Sequence, residues 1–180
     1  MTKITAGLIQ MSLKGDTSME PEKIRELMLK AHMPLIDKAA KKGVQVLCFQ
    51  EVFTQPYFCP SQDKKWYRAT ESIPDGPTTQ AMQKLAKKHG MVIVVPIYEE
   101  EMTGVYYNTA AVIDADGKYL GKFRKVHTPQ APASTRSFSS SRAIWDIRCS
   151  TRRSASSASI SATTGISPRA GARWRSTAPS

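Results

Sequence analysis

The sequence contains only three cysteines in 180 residues: Cys48, Cys59 and Cys149. They form no CxxC pair and have no zinc-ligand spacing, which excludes a disulfide framework or zinc ribbon and fits a reducing compartment. Long apolar runs are missing too. Nothing approaches the roughly 20 residues that cross a bilayer. The opening MTKITAGLIQMSLKGD lacks the apolar stretch and cleavage site of a secretory leader. A soluble, cytoplasmic protein with no membrane partner is expected. The sharpest absence is local. Residues 131–180 have no Leu, no Val and no Lys, and a single acidic residue, Asp146, against 8 Arg and 14 Ser. Residues 1–130 hold 18 Lys and Arg against 14 Asp and Glu, so they carry +4 of the total +11 and the last fifty carry +7. The basic pI of 9.7 therefore says little about the first 130 residues. An Arg/Ser tail is either a solvated segment or a nucleic-acid contact. Its arginines fall in no named nucleic-acid-binding motif, so no nucleic-acid partner is expected.

What is present before Gln130 is a patterned α/β chain. KITAGLIQ (3–10) alternates as a strand. From Glu20 to Gly43 the spacing of Ile24, Leu27, Met28, Ala31, Leu35, Ile36 and Ala39 predicts one helical stripe, with Pro21 in the first turn. Pro34 either kinks this helix or divides it. VQVLCF (44–49) predicts a buried strand ending at Gln50-Glu51, followed by the polar-aromatic loop VFTQPYFCPSQDKKWY. A second helix is predicted over 75–90, and an apolar strand over 91–98. EEEMTG then turns the chain into a strand over 106–114. DADG makes a tight hairpin into KYLGKF (118–123). Crossover units followed by a hairpin imply a mixed sheet with helices over one face.

Three stretches carry a family resemblance: CFQEVFTQPYF (48–58), IPDGPTTQAMQKLAKKHGMVIVVPIYEE (73–100) and YYNTAAVIDADGKYLGKFRKVHTPQ (106–130). A strand-end Glu, a DGPTT helix start, an NTA strand, a D-x-D-G hairpin and an RKxH turn occur in order. Together they resemble the nitrilase, or carbon–nitrogen hydrolase, superfamily, nearest its N-carbamoyl-hydrolysing branch. The resemblance implies an α-β-β-α sandwich, of which residues 1–130 would form the N-terminal half. It also implies a Glu-Lys-Cys triad that cleaves linear amides or N-carbamoyl compounds, such as an N-carbamoyl-β-amino acid. No metal or organic cofactor is implied, and the full-length parent would be a homo-oligomer.

Glu51 matches the family's base, a carboxylate placed to take a thiol's proton. Lys125 matches the ammonium that stabilises the developing oxyanion. By residue type alone they would be a strand-end carboxylate and one more lysine of a basic turn. His127 matches a motif position that would orient the Lys turn. Cys48 and Cys59 fall outside the nucleophile's place, the first on a buried strand and the second in a loop.

The family's nucleophile sits in a stretch like ICYDRHFPEG, and this chain has SATTGISPRA (161–170) instead. The last base of each codon followed by the first two bases of the next spells a second reading of this segment. Thr164 as ACN preceded by G gives GAC, Asp, and Gly165 preceded by C gives CGG, Arg. Ile166 to Ala170 permit His, Phe, Pro, Glu and Gly. Ser161, Ala162 and Thr163 permit Ile, Cys and Tyr. The Cys codon straddles Ser161 and Ala162. The same shift turns ASTRSFSS (133–140) into GFYEKFFF, with the family's second Glu straddling Thr135 and Arg136, and AIWDIRCS (143–150) into GNLGYPVF. Residues 131–180 are therefore expected to be a one-base-shifted, non-native tail after a truncated hydrolase domain over 1–130. The chain as written, lacking the nucleophile, is expected to be an inactive hydrolase. A non-catalytic scaffold or assembly protein, or a pseudogene product, is the alternative.

Overall fold

The computed structural model of the protein describes residues 3–58, 61 and 63–125. Within them lie strands β1 (Ala6–Ile9), β2 (Val46–Phe49), β3 (Val92–Met102), β4 (Val105–Ile113) and β5 (Tyr119–Arg124). Two helices, α1 (Pro21–Lys41) and α2 (Pro77–His89), complete the layer. The strands form one sheet in sequential order. β1, β2 and β3 are parallel, and β4 and β5 return antiparallel. This is the mixed α/β sheet that the apolar patterning implied. The tail over 131–180, His127, Cys59, Cys149 and the Thr135–Arg136 and Ser161–Ala162 codons lie outside the described residues.

The parallel pairs need crossovers, and α1 and α2 supply them on one face. Ile9, Leu47, Phe49, Ile93, Val95 and Ile113 project into that layer and meet Ile36, Met82 and Ala86 of the helices. Burying side chains of this kind contributes about 1.5–3 kcal/mol each, which is what ties the helices to the sheet. α1 begins at Pro21, whose missing N–H costs nothing in a first turn, and closes with Lys38 and Lys41 near its negative end. It is not divided at Pro34. That residue lies on the exposed side of α1, where solvent can take the carbonyl that proline leaves unpaired. The buried stripe of α1 also includes a residue that apolar spacing passed over: His32 sits between Met28 and Ile36 and is fully buried.

Helix α2 starts on Gly76, which has no side chain to cap it. Glu71 does so from outside the helix: its carboxylate accepts the Thr78 N–H at 2.7 Å and the Thr78 hydroxyl at 2.6 Å. A negative group here meets the unpaired N–H groups and positive end of the helix. Gly76 is needed for the approach, since a Cβ there would lie 2.4 Å from the Ser72 carbonyl oxygen. The DGPTT segment is thus a helix start built on close backbone contact.

The segment EEEMTG differs from expectation. β3 runs through Glu99 and Glu100 to Met102 and turns only at Thr103-Gly104. Glu99 pairs with Tyr107 and Glu100 with Tyr106 across the ladder. Strand geometry survives this acidic run because the inward carboxylate, Glu99, is neutralised. It accepts two hydrogen bonds from Arg124 at 2.8 and 2.9 Å, one from the Thr109 hydroxyl at 2.7 Å and one from Lys122. Burial pushes the Glu99 carboxyl up, but these donors outweigh it and hold the group below its ordinary value. The hairpin at DADG is as expected, with Gly117 at φ +87° closing on the Asp114 carbonyl at 2.9 Å. A Cβ there would lie 2.8 Å from the Gln83 carbonyl oxygen, so the same glycine lets the hairpin dock on α2.

The loop after β2 is more ordered than its composition suggested. Lys64–Ala69 form a 3-10 turn, with Asp63 accepting the Lys65 N–H at its start. Trp66 stacks on Phe58 at 5.3 Å and joins Ile24, Met28, Val52 and Tyr98 in a second apolar cluster. This cluster closes the chain over the carboxyl end of β2.

Candidate active site

Parallel strands present their carboxyl ends to one edge of the sheet, where ligand sites of α/β proteins form. Glu51 lies there, two residues beyond β2. The turn that carries it is anchored on both sides. Gln50 clamps the Met11 backbone, its amide donating to the Met11 carbonyl at 2.8 Å while its oxygen accepts the Met11 N–H at 2.6 Å. Val52 adopts φ +46°, a left-handed conformation that a β-branched residue takes only when packing holds it. Phe49 and Phe53 stack at 4.4 Å beneath the turn, and His32 packs edge-on against both rings.

Lys125 follows β5 directly, and its N–H donates to the Asn108 carbonyl at 2.8 Å. Arg124, one residue earlier, turns to the opposite face and enters the Glu99 cluster, with Tyr107 under its guanidinium at 3.8 Å. Lys125 is thereby delivered to Glu51: its ammonium lies 2.6 Å from Glu51 Oε1. The two residues are 74 positions apart in sequence. Their side chains are 15% and 31% exposed, so the pair is sheltered yet still open to a ligand. Asn108 of β4 completes the group, its side-chain amide donating to the same Oε1 at 2.6 Å. Sequence reasoning named Glu51 and Lys125 but read Asn108 only as part of a strand. An Asn inside an otherwise apolar and aromatic strand was the available signal.

Beside this group opens a cleft of about 460 Å³, lined by Leu13, Met28, Gln50, Glu51, Val52, Gln55, Pro56 and Tyr57. Its lining mixes apolar residues with the polar Gln50, Glu51 and Gln55, and it is open to solvent. Cys48 is buried in the sheet, and burial raises its thiol above the ordinary range, which keeps it protonated and unreactive. That agrees with its reading as a core residue. Among the described residues no group of three His, Cys, Asp or Glu side chains could hold a metal ion, and no helix is long and apolar enough to cross a membrane.

The profile of the carbon–nitrogen hydrolase family matches residues 5–164. The chain belongs to that family. The match begins at the first strand and continues past Gln130. β-Ureidopropionase of Arabidopsis thaliana is 36% identical over 129 residues, which are 71% of this chain and 31% of that protein. N-carbamoylputrescine amidase of Solanum lycopersicum is 35% identical over 129 residues, 72% of this chain and 40% of its own length. The chain thus spans 31% to 40% of the length of these two relatives. A carbon–nitrogen hydrolase from Helicobacter pylori G27 superposes with a TM-score of 0.60 at 28% identity, covering 70% of this chain and 40% of that structure. The described residues of this nitrilase-superfamily chain supply one sheet and one helical layer.

Proposed function

We propose that this carbon–nitrogen hydrolase derives from an enzyme that cleaves the C–N bond of N-carbamoyl-β-amino acids or related linear amides. The observation that carries the reading is the 2.6 Å contact between Lys125 and Glu51, a residue that lines the cleft. In the proposed reaction Glu51 takes the proton of a cysteine thiol, and the thiolate attacks the substrate carbonyl. Lys125 donates to the oxyanion as the tetrahedral intermediate forms. Glu51 returns the proton to the departing nitrogen, and water then resolves the thioester, with Glu51 again accepting a proton. Relatives named β-ureidopropionase and N-carbamoylputrescine amidase support this substrate class.

The cysteine of this scheme is not encoded in the frame as written. Its codon straddles Ser161 and Ala162, so the 180-residue chain is inactive in this proposal, and residues after about 130 are a shifted reading of the parent gene. Removing the nucleophile of a covalent mechanism abolishes nearly all turnover. Two measurements test the proposal. Sequencing the DNA around codons 128–134 shows whether one inserted base opens a frame, with ordinary Leu and Val content, that runs beyond codon 180; an immediate stop in that frame defeats the shifted reading. In the frame-restored protein, Glu51→Gln and Lys125→Ala are each expected to lower the release of ammonia from N-carbamoyl-β-alanine by about 10²-fold or more. Near-parental rates in either variant would show that the residue assignment is wrong.

A further inference from the structure

The two donors that meet Glu51 converge on one of its oxygens. Lys125 Nζ and Asn108 Nδ2 each lie 2.6 Å from Oε1. Oε2 receives no hydrogen bond from the described residues. A carboxylate oxygen offers two lone pairs, so the donors occupy both at Oε1 and leave both at Oε2. The orientation of the Asn108 amide is fixed by chemistry. Turned over, its carbonyl oxygen would face a carboxylate oxygen at 2.6 Å, acceptor against acceptor.

Asn108 is also unusual for its position. It sits inside β4, opposite Tyr98 of β3, in a strand otherwise made of Val, Tyr, Thr, Ala and Ile. Asn is disfavoured in strands, and nothing in the ladder requires its side chain. Its backbone carbonyl accepts the Lys125 N–H, while its side chain holds Glu51. One residue therefore sets the position of the base through its amide and that of the ammonium through its main chain.

We infer that Asn108 is a positioning residue for the reaction, locking the Glu51 carboxylate with Oε1 toward Lys125 so that Oε2 alone is free to take and return the proton. The inference rests on the proposed hydrolase reading. Without the Asn108 amide the carboxylate rotates about its last torsion, and the ammonium and the proton-transfer function compete for the same oxygens. A misoriented base lowers the chemical step more than substrate binding.

The test uses the frame-restored enzyme with N-carbamoyl-β-alanine, comparing Asn108→Ala, Asn108→Ser, Asn108→Asp and Glu51→Gln. Asn108→Ala is expected to lower kcat by about 10-fold or more with KM within about two-fold of the parent. Asn108→Ser, which restores a shorter donor, should recover part of that loss. In Asn108→Asp a second carboxylate faces the first, and the acidic limb of the pH–rate profile should move to higher pH. Parental kcat in Asn108→Ala, Ser no better than Ala, or an unmoved profile in Asn108→Asp would each overturn the inference. Should the Asp variant fail to fold, the Ala and Ser pair decides. The underlying reading fails separately: it falls if Glu51→Gln retains activity, whereas a dead Glu51→Gln beside unaffected Asn108 variants refutes the positioning role alone.

Discussion

Replacing Glu99 by Gln removes one charge from the most deeply buried ionic cluster among the described residues while leaving its volume unchanged. Glu99 is fully buried and accepts from Arg124, Lys122 and Thr109, and the Arg124 side chain is only 4% exposed. Removing one partner of a buried pair costs about 3–5 kcal/mol, because the other charge is left without compensation. Arg124 keeps one carboxylate, Glu101, at 2.6 Å, but that group is 34% exposed and better screened. The expected loss is therefore near the lower end, about 3 kcal/mol. Glu101→Gln breaks the exposed half of the same network and should cost at most about 1 kcal/mol. Urea denaturation of the frame-restored protein measures both as shifts of the unfolding midpoint at constant slope. Acidification should mimic the Glu99 change. Its carboxyl is held below its ordinary value of 4.5, so its contribution is present above that pH and is lost as pH falls through the lower folded value. Equal midpoints for Glu99→Gln and Glu101→Gln would refute the claim that burial, rather than the count of ion pairs, sets the strength of this cluster. Since Arg124 directly precedes Lys125, the Glu99 variant should also lose activity, through displacement of the β5 terminus.

His32 gives a prediction of the opposite origin. Burial lowers its basicity; its Nδ1–H donates to the Met28 carbonyl at 2.7 Å, and Nε2 is buried with no hydrogen-bond partner among the described residues. The unfolded chain therefore binds a proton that the folded one refuses, and stability should fall as pH drops below the ordinary histidine value of 6.5. His32→Leu should flatten that slope in unfolding midpoints measured between about pH 5 and pH 7; an unchanged slope would assign the effect elsewhere. The 180-residue chain should also be poorly soluble and melt without a cooperative transition. Leu8 is 69% exposed and Phe123 is exposed on the sheet face opposite the helices. Sedimentation showing a soluble monomer with a sharp melting curve would contradict this.

How far the site could be read from sequence depended on whether its signal was local. Glu51 follows a short apolar strand and Lys125 is the lysine of the RKxH motif, so each was recognisable from its neighbours, and the family's order of motifs joined them. Asn108 stood within a recognised stretch, but its role depends on register. Only the pairing of β4 with β3 and β5 brings its amide to Glu51 and its carbonyl to Lys125. His32 was hidden for a different reason. Its spacing of four from Met28 and Ile36 fits the buried stripe, but a polar side chain drops out of any apolar count. The continuation of β3 through Glu99 was illegible because a run of three glutamates reads as solvent-facing until the counterions, more than twenty positions away, are known. The 3-10 turn over Lys64–Ala69 is held by Trp66 and Phe58 packing against α1 and β3, which no local pattern encodes.

In the proposed reading, Glu51, Asn108 and Lys125 form a carbon–nitrogen hydrolase site that lacks its nucleophile and the family's second Glu, neither of which the written frame encodes. Ammonia release from N-carbamoyl-β-alanine, measured side by side for the 180-residue chain and for the protein with one base inserted near codon 131, tests it most directly. The account predicts steady turnover by the restored protein and none above the uncatalysed rate by the chain as written. Turnover by the 180-residue chain, or a folded restored protein that releases no ammonia from this or any other N-carbamoyl or linear amide substrate, would contradict it.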